Sequence, residues 1–459
     1  MPQPSSPPEK QNIIIVGGGI IGCTTAYFLT RHSSYNPSTH KITLLEASTI
    51  AGGASGKAGG LLATWAYPKC LVGLSFRLHR ELAEEHGGKE RWGYREVGVG
   101  SVECVGLHRP ATEKLKALGG SAEEGKGEDV SLQKTNALPI AASTKPKTKR
   151  KGVPDGVLEW IDADALKEYE EMAPPGSTAQ VHPYQFTTTM AKLAEEAGVE
   201  ILTHSPVSKI EYTSNGKGVS GVTYTPSSTS SSASASKPDS VTLQANKVIL
   251  SPGPWTRSLL PSAPITSIRA HSLTLRPSVP ISPHALFTSI RLPKSFPTHP
   301  NQTVTPEIYP RPNDNEVYAC GEGDELVPLP SLSSSVEVDP QRVEDVRAFV
   351  GSISPALADA EVTARQACYL PSVEGGAGAP LVGKTGVEGL WLAAGHSCWG
   401  IQNAPATGKV MAEMVLGREG RRKRESGGSW IRGGGCRATT SRLSVNAMSP
   451  LPGHQLWSG

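Results

Sequence analysis

The residues IIIVGGGIIG, at positions 13–22, are the strongest indication of the fold of this 459-residue chain. Its first four residues are β-branched, which is typical of a short strand buried on both faces. The glycines that follow fit the pattern GxGxxG. Gly17 permits a tight turn, Gly19 lets the backbone approach a pyrophosphate, and Gly22 lets a helix pack closely on the strand. The stretch therefore predicts a strand, a phosphate-binding turn and a helix over residues 23–29.

A carboxylate follows at the expected distance. Residues 41–46 read as a second strand, and Glu46 ends it, 24 residues after Gly22. An acid about 20 residues after the glycines accepts hydrogen bonds from the ribose of a dinucleotide. An exposed glutamate at a strand end is the alternative, but strand, glycines, helix, strand and acid occur in the required order. An acid at this position also disfavours the 2′-phosphate of NADP.

The segment 51–62, AGGASGKAGGLL, indicates which dinucleotide is bound. A loop of small residues directly after the ribose acid lets backbone amides surround a bulky ring system, which a nicotinamide does not need. A flexible surface linker is the alternative, but Leu61 and Leu62 argue against a loop that only meets solvent. The segment favours a flavin.

Further elements are predicted from hydrophobic periodicity and from turn residues. A helix covers 188–197, an antiparallel sheet occupies 264–370 with a helix at 341–350, and a last helix spans 407–416. Short strands are predicted at 199–202, 241–243, 247–250, 268–275, 316–320 and 389–394.

One C-terminal segment is the most specific motif of the chain. Residues 395–408 read GHSCWGIQNAPATG and match the pattern GHxxxGIxxAPATG. With the glycine fingerprint, Glu46 and the loop 51–62, this segment resembles the FAD-dependent oxidoreductases of the D-amino-acid, glycine and sarcosine oxidase group. The chain is similar to a divergent, fungal-type member of that family over residues 13–65, 180–300 and 365–417.

The resemblance implies an α/β fold in two domains. A Rossmann-like FAD-binding domain of the GR2 type is discontinuous, and an antiparallel, β-rich substrate domain is inserted into it. The expected boundaries are 13–65, 180–255 and 365–417 for the FAD domain, 66–120, 153–179 and 256–364 for the substrate or cap domain, 121–152 and 226–240 for flexible inserts, 1–12 for a disordered N-terminus and 418–459 for a disordered basic tail.

The resemblance also implies which residues hold FAD. Backbone groups of Val207 match those that hold the adenine, and residues 250–255 match the turn beneath the cofactor. Backbone N–H groups of the Gly400–Ile401 segment face the flavin pyrimidine edge, where the helix dipole favours the anionic reduced flavin. The expected cofactor-binding residues are Gly17, Gly19, Ile20, Ile21, Gly22, Glu46, Ala47, Ser55, Gly59, Gly60, Leu61, Val207, Gly253, Trp255, Cys368, Gly395, Gly400, Ile401 and Gln402.

The substrate side departs from the family pattern. Relatives that oxidise amino acids clamp the substrate carboxylate with cations, at positions that match Leu370 and either Cys398 or Gln402. None of these three residues is charged, which argues against a simple free α-amino acid. The other candidates near the flavin and substrate are Arg269, His271, His396 and Trp399, although a packed lid aromatic at Trp399 and a hydrogen-bonded strand residue at His271 are equally compatible readings.

Cys368 matches the cysteine that is bonded to the flavin 8-methyl carbon in the sarcosine-oxidase branch. Attack on that carbon needs a thiolate, and the apolar neighbours Leu370 and Pro371 disfavour one. We therefore expect non-covalent FAD, with the covalent link through Cys368 as the alternative and a buried core cysteine as the simplest reading of this residue.

The expected activity is oxidation of a C–N bond in an amine, an imino acid or an amino-acid derivative, with oxygen as the electron acceptor. Two alternatives stay open. The first is a flavin dehydrogenase with another acceptor, and the second is an FAD-binding regulatory or trafficking protein with little catalysis. The missing clamps, the long inserts and the basic tail fit the second alternative.

Charge and hydropathy limit the partners. The net charge is +3, but residues 417–459 carry eight Lys and Arg against two Glu, so the rest of the chain is slightly acidic. A nearly neutral body makes nucleic acid an unexpected partner, whereas the basic tail could contact another protein. No apolar run reaches the roughly 20 residues of a membrane span, and no metal site is expected. The expected location is the cytoplasm, with peripheral contact with an endomembrane left open.

Overall fold

The structure is a computed structural model. It describes residues 10–107, 153, 156–226, 239–312, 314–375 and 379–417. The predicted inserts at 121–152 and 226–240, apart from residues 226, 239 and 240, and the predicted tail at 418–459 lie outside the described residues. The predicted disordered N-terminus overlaps the described part at 10–12, where the first strand already begins at Gln11, so its boundary at residue 12 is wrong.

The described strands, in chain order, are β1 (Gln11–Val16), β2 (His40–Leu45), β3 (Leu61–Ala63), β4 (Arg95–Glu96), β5 (Gly98–Val105), β6 (Leu166–Glu171), β7 (Thr178–Gln180), β8 (Glu200–Leu202), β9 (Val207–Tyr212), β10 (Val219–Tyr224), β11 (Val241–Gln244), β12 (Lys247–Leu250), β13 (Ile265–Arg276), β14 (His284–Arg291), β15 (Thr303–Val304), β16 (Glu307–Pro310), β17 (Val317–Asp324), β18 (Glu361–Val373), β19 (Leu381–Lys384) and β20 (Leu390–Ala394).

The described α-helices are α1 (Ile20–Thr30), α2 (Ala54–Lys57), α3 (Lys69–His86), α4 (Gly88–Trp92), α5 (Pro183–Glu196), α6 (Thr256–Leu259), α7 (Pro340–Ile353), α8 (Pro355–Ala358) and α9 (Gly400–Leu416). Short 3₁₀ turns occupy Gly253–Trp255, Ser333–Ser335 and Ser397–Trp399. No helix in the described ranges is long and apolar enough to cross a membrane.

A six-stranded sheet lies at the centre of the dinucleotide-binding part. Its order is β19-β20-β12-β1-β2-β8, and every pairing is parallel except that of β19 with β20. β1 is buried on both faces, as its β-branched sequence predicts. Ile13 and Ile15 pack with α1 and α9 on one face, and Ile14 and Val16 pack against β9–β11 on the other.

A second, eight-stranded sheet forms the antiparallel part of the fold. The main path is β18-β13-β17-β16-β14-β5-β6, with β15 paired to β14. Its pairings are antiparallel except that of β14 with β5. Helix α7 covers one face, where Val343 and Val346 join Leu273 and Leu275 in one core. The expected α/β class, with parallel strands beside an antiparallel, β-rich part, is confirmed.

The segment 66–120 does not stay together in the fold. Phe76 and Leu82 of α3 and Trp92 of α4 share a core with β1, whereas β5 belongs to the eight-stranded sheet. The expected domain boundary at residue 66 therefore does not coincide with the edge of this core.

Helix α9 begins at Gly400, so the predicted start at residue 407 is wrong. The reason is that Pro405 lies inside the helix and breaks the pattern that sequence reasoning follows. Proline cannot donate to the carbonyl four residues earlier, which belongs to Ile401. The Nε2 of buried His79 lies 3.0 Å from that oxygen and replaces the missing donor. A side chain of α3 therefore stabilises the first turns of α9.

The contact between α1 and α9 depends on a glycine. A Cβ added to Gly408 would lie 2.6 Å from the carbonyl carbon of Thr24. The two backbones therefore touch, and the Thr24 hydroxyl donates to the carbonyl of Ala404 across the same contact at 3.1 Å.

We predict that Gly408→Ala destabilises the protein by about 1–3 kcal/mol, because the added methyl must push two backbones apart. Gly73→Ala is the matched control, since Gly73 lies in α3 and an added Cβ meets nothing within 4 Å. That control should be neutral or slightly stabilising. Thermal melts of the three proteins test this, and equal melting temperatures for Gly408→Ala and wild type would contradict the described contact.

Candidate functional site

A long cleft lies along the carboxyl ends of the parallel strands and encloses about 1300 Å³, part of it open to solvent. It runs from the loop after β2 and the start of β9 to the start of α9 and the end of β18. Ligands of open parallel sheets bind at this edge. The predicted site residues that line it are Gly17, Gly19, Ile20, Ile21, Glu46, Ala47, Ser55, Val207, Gly253, Trp255, Leu370, Gly395, His396, Cys398, Gly400 and Ile401.

The start of α1 is held in place by close backbone contacts. Gly17 has φ +110°, and a Cβ on it would lie 2.4 Å from the Ser251 carbonyl oxygen. Gly22 lies behind the cleft lining, where an added Cβ would lie 2.0 Å from the Gly17 carbonyl oxygen. The Ile20 N–H donates to Ser55 Oγ at 2.9 Å. These contacts aim the N-terminus of α1 into the cleft, where its dipole favours an anion.

Glu46 is fixed by backbone N–H groups. One carboxylate oxygen accepts from Gly18 N at 2.7 Å, and the other accepts from Ser48 N at 2.8 Å. Burial raises the pKa of this carboxyl group, and the three backbone hydrogen bonds from Ser48, Gly18 and Ala47 oppose that shift. A carboxylate oxygen has more than one acceptor position, so Glu46 can still accept from the hydroxyls of a ribose.

The opposite end of the cleft is formed by the start of α9. Gly400 and Ile401 line this end of the cleft. The positive end of a 17-residue helix therefore faces the cleft. His396 is buried, and its Nε2 lies 3.1 Å from Thr407 Oγ1. Burial lowers the pKa of His396 to about 3, so its imidazole is neutral.

Several expected cofactor residues lie next to the cleft rather than on its surface. Gln402 is fully buried, and its Oε1 accepts from the Ala63 N–H at 2.8 Å. Cys368 is buried in β18, and Gly59, Gly60 and Leu61 form the backbone that leads into β3; none of these four is part of the lining. Trp399 packs against Trp65 with ring centroids 5.5 Å apart.

Arg269 and His271 are placed away from the cleft. Arg269 pairs with the buried Asp324 at 3.1 Å, and His271 Nε2 accepts the Asp339 N–H at the start of α7. Side chains alternate along a strand, and these two share the α7 side of β13 with Leu273 and Leu275. Neither reaches the space beside Leu370, so neither replaces the missing cations there.

Part of the lining carries no signal in the sequence. Ser331, Leu332 and Ser333 close the cleft beside Trp255, whose Nε1 donates to the Pro330 carbonyl at 2.6 Å. This loop comes from the antiparallel part and carries no motif. Pro252 and Pro254, which lie in the turn 250–255 that the resemblance implies, also line the cleft, and so does Pro206, which precedes Val207.

A family profile described as FAD dependent oxidoreductase matches residues 12–414. The chain belongs to this family. TDA3 of Saccharomyces cerevisiae, whose name gives it as an oxidoreductase, is 35% identical over 492 aligned positions that cover 89% of this chain and 92% of that protein. The expected kinship with the FAD-dependent oxidoreductases is therefore confirmed.

Solved structures share the fold of the family. A glycine oxidase from Bacillus cereus matches with a TM-score of 0.59 at 18% identity, over 88% of this chain and 95% of its own. An iminodiacetate oxidase from Chelativorans matches with a TM-score of 0.58 at 17% identity, over 88% and 95% of the two chains. At these identities the likeness establishes the architecture.

The residues of the cleft fit FAD, the cofactor of the family. A Cβ on Gly253 would meet nothing within 4 Å, so this turn presents bare backbone to open space. Beside the start of α9, the Nε2 of buried Gln402 has no hydrogen-bond partner among the described residues. Glu46 and the start of α1 would hold the ribose and pyrophosphate, and the start of α9 would meet the flavin ring.

We predict that Glu46→Ala lowers the affinity for FAD by at least about tenfold, because charge-assisted hydrogen bonds contribute roughly 1.5–3 kcal/mol each. The matched control is Glu200→Gln on the neighbouring strand β8, where Glu200 pairs with Lys41 at 2.9 Å outside the cleft. Reconstitution of cofactor-stripped protein, followed by flavin fluorescence, measures both affinities. Unchanged FAD affinity in Glu46→Ala would contradict the assigned role.

Proposed function

We propose that this FAD-dependent oxidoreductase oxidises the C–N bond of an amine, an imino acid or an amino-acid derivative and passes the electrons to oxygen. Bound flavin would supply the acceptor for the hydride that leaves the carbon next to nitrogen. The observation that carries the proposal is that the N-termini of α1 and α9 open into one cleft whose far end holds Leu370 and Cys398. Glycine and iminodiacetate, after which two structural relatives are named, are both amines.

The residues of the chain would orient and shield the reaction rather than transfer protons. His396 is neutral and contacts Thr407. Burial raises the pKa of Cys398 to about 11, which keeps its thiol protonated. An amine that arrives neutral needs no side-chain base, so the main contribution of the protein is the position of the helix dipole and the exclusion of water.

The charge of the cleft restricts the substrate. Neither Lys nor Arg is present among the described residues that line it. A carboxylate next to the reacting carbon would therefore lack the bidentate cation that such a group prefers. This supports a substrate in which the reacting carbon bears no free carboxylate.

Anaerobic reduction of bound flavin tests the proposal. We expect bleaching of the oxidised flavin band by members of an amine panel, faster than by glycine or alanine, and hydrogen peroxide after oxygen is admitted. Bleaching without peroxide would identify a dehydrogenase with another acceptor. A protein that binds FAD and is reduced by no amine or imino acid would contradict the proposed activity.

We also propose that FAD is held without a covalent bond. Burial raises the pKa of the Cys368 thiol to about 11, and the positive charge of Lys57 only partly opposes this. The thiol is therefore protonated at neutral pH, whereas attack on the flavin 8-methyl carbon needs a thiolate.

We predict that acid precipitation releases all flavin into the supernatant, both from wild type and from Cys368→Ala. Fluorescence of pellet and supernatant measures the two fractions. Flavin that stays in the wild-type pellet and is absent from the Cys368→Ala pellet would show that the covalent alternative is correct.

A further inference from the structure

The loop that closes the cleft contributes no side chain to the hydrophobic cores. We call residues 325–335, between β17 and α7, the strap. Ser331, Leu332 and Ser333 of the strap line the cleft, and Ser333 is the one buried residue among them. Leu326 is 53% exposed, and the strap has no apolar residue in a core formed by the described residues. A segment with so little buried apolar surface opens more easily than the elements around it.

Two aromatic side chains attach the strap to the rest of the fold. The hydroxyl of Tyr369 lies 2.8 Å from the Val327 carbonyl oxygen and 3.1 Å from that of Pro328, and it donates to this pair. The Nε1 of Trp255 donates to the Pro330 carbonyl at 2.6 Å. Tyr369 belongs to β18 of the eight-stranded sheet, whereas Trp255 lies in the turn after β12 of the six-stranded sheet. The strap is therefore attached to both sheets by hydrogen bonds.

The strap meets the opposite wall of the cleft at the loop before α2. A Cβ added to Gly53 would lie 4.0 Å from Ser333 Cβ and 3.8 Å from the Trp255 ring. A Cβ added to Gly52 would lie 3.0 Å from Ser333 Oγ. Gly53 is two residues before Ser55, whose Oγ accepts from the N–H of the first residue of α1 at 2.9 Å. The strap therefore closes the cleft close to the helix N-terminus that would hold the pyrophosphate.

The closed strap leaves one polar group unsatisfied. The Oγ of Ser333 is buried and has no hydrogen-bond partner among the described residues. A buried hydroxyl without a partner raises the free energy of the conformation that buries it. The closed strap over an empty cleft is therefore not at its most stable, which favours exchange between a closed and an open position.

We propose that the strap is a gate for the cofactor. It closes over bound FAD, FAD enters and leaves only after the strap is released, and Tyr369 is the positioning residue that holds the strap closed. The proposal rests on FAD as the occupant of the cleft and not on the oxidation of an amine. Trp255 is the second attachment, but it is itself part of the lining, whereas Tyr369 is not. A change at Tyr369 therefore separates gating from contact with the cofactor.

The first test is Tyr369→Phe in the full-length protein, which keeps the ring and removes the hydroxyl. We expect the rate constants for FAD association and dissociation both to rise by about three- to tenfold, because the lost hydrogen bond holds the strap with or without FAD. The dissociation constant should change little. Stopped-flow flavin fluorescence measures uptake, and a chase of the loaded protein measures release. Tyr169→Phe is the control, since its hydroxyl lies 3.1 Å from His284 Nε2 elsewhere in the same sheet.

The second test locks the strap to the opposite wall. The 4.0 Å between Ser333 Cβ and a Cβ at position 53 is within the range that a disulfide spans. In the double variant Gly53→Cys/Ser333→Cys, oxidation after loading should trap FAD, and oxidation before loading should prevent its uptake. Dithiothreitol should restore both processes. The reduced double variant and wild type treated with the same oxidant are the controls.

An oxidised double variant that exchanges FAD as fast as its reduced form would overturn the proposal. Exchange rates of Tyr369→Phe equal to those of wild type would also overturn it. So would a weaker FAD affinity at an unchanged association rate, because that pattern indicates a lost cofactor contact. If the disulfide does not form, the two rates of Tyr369→Phe decide. These measurements need no substrate, so they give the same answer for a protein that oxidises no amine.

Discussion

The close packing of α1 between β1 and α9 is the constraint on which the rest of the site depends. Gly22 allows the helix to approach the turn after β1, where a methyl would lie 2.0 Å from the Gly17 carbonyl oxygen. Gly408 allows the approach of α9 from the other side, against the backbone of Thr24. Because both helices are packed onto one sheet, their N-termini reach the same cleft, and both positive helix ends face that space.

Helix α9 lacks one backbone hydrogen bond because Pro405 lies inside it, and neighbouring side chains compensate for the loss. Pro405 removes one donor from the helix, and His79 supplies another to the Ile401 carbonyl. The side chain of Gln402 accepts a hydrogen bond from the Ala63 N–H, and the side chain of Asn403 donates one to the Tyr67 carbonyl. The first turns of α9 are thus held by α3 and by the residues around β3 rather than by helix propensity.

The eight-stranded sheet separates two kinds of polar group by the alternation of its side chains. On the α7 face, Arg269, His271 and Asp324 form a buried, paired cluster within the scaffold. On the opposite face, Tyr309, Tyr318 and Cys320 pack with the residues around Trp65 and Trp399. A strand residue that is conspicuous in the sequence, such as Arg269, can therefore be structural.

The parts of the fold and of the site that are local in the chain can be predicted from the amino-acid sequence. The buried strand, the glycine turn, Glu46 and the segment 395–408 are contiguous patterns, and each requires specific residue types because a backbone or a charge must come within a few ångströms of a ligand. The tertiary structure was needed to show the face on which Arg269 and His271 lie, the start of α9 at Gly400, the loop at Ser331–Ser333 that closes the cleft, and the contact of Trp399 with Trp65. These features join segments that lie from about fifty to more than three hundred residues apart in the chain, so their energies come from packing and burial between elements, which no local pattern records.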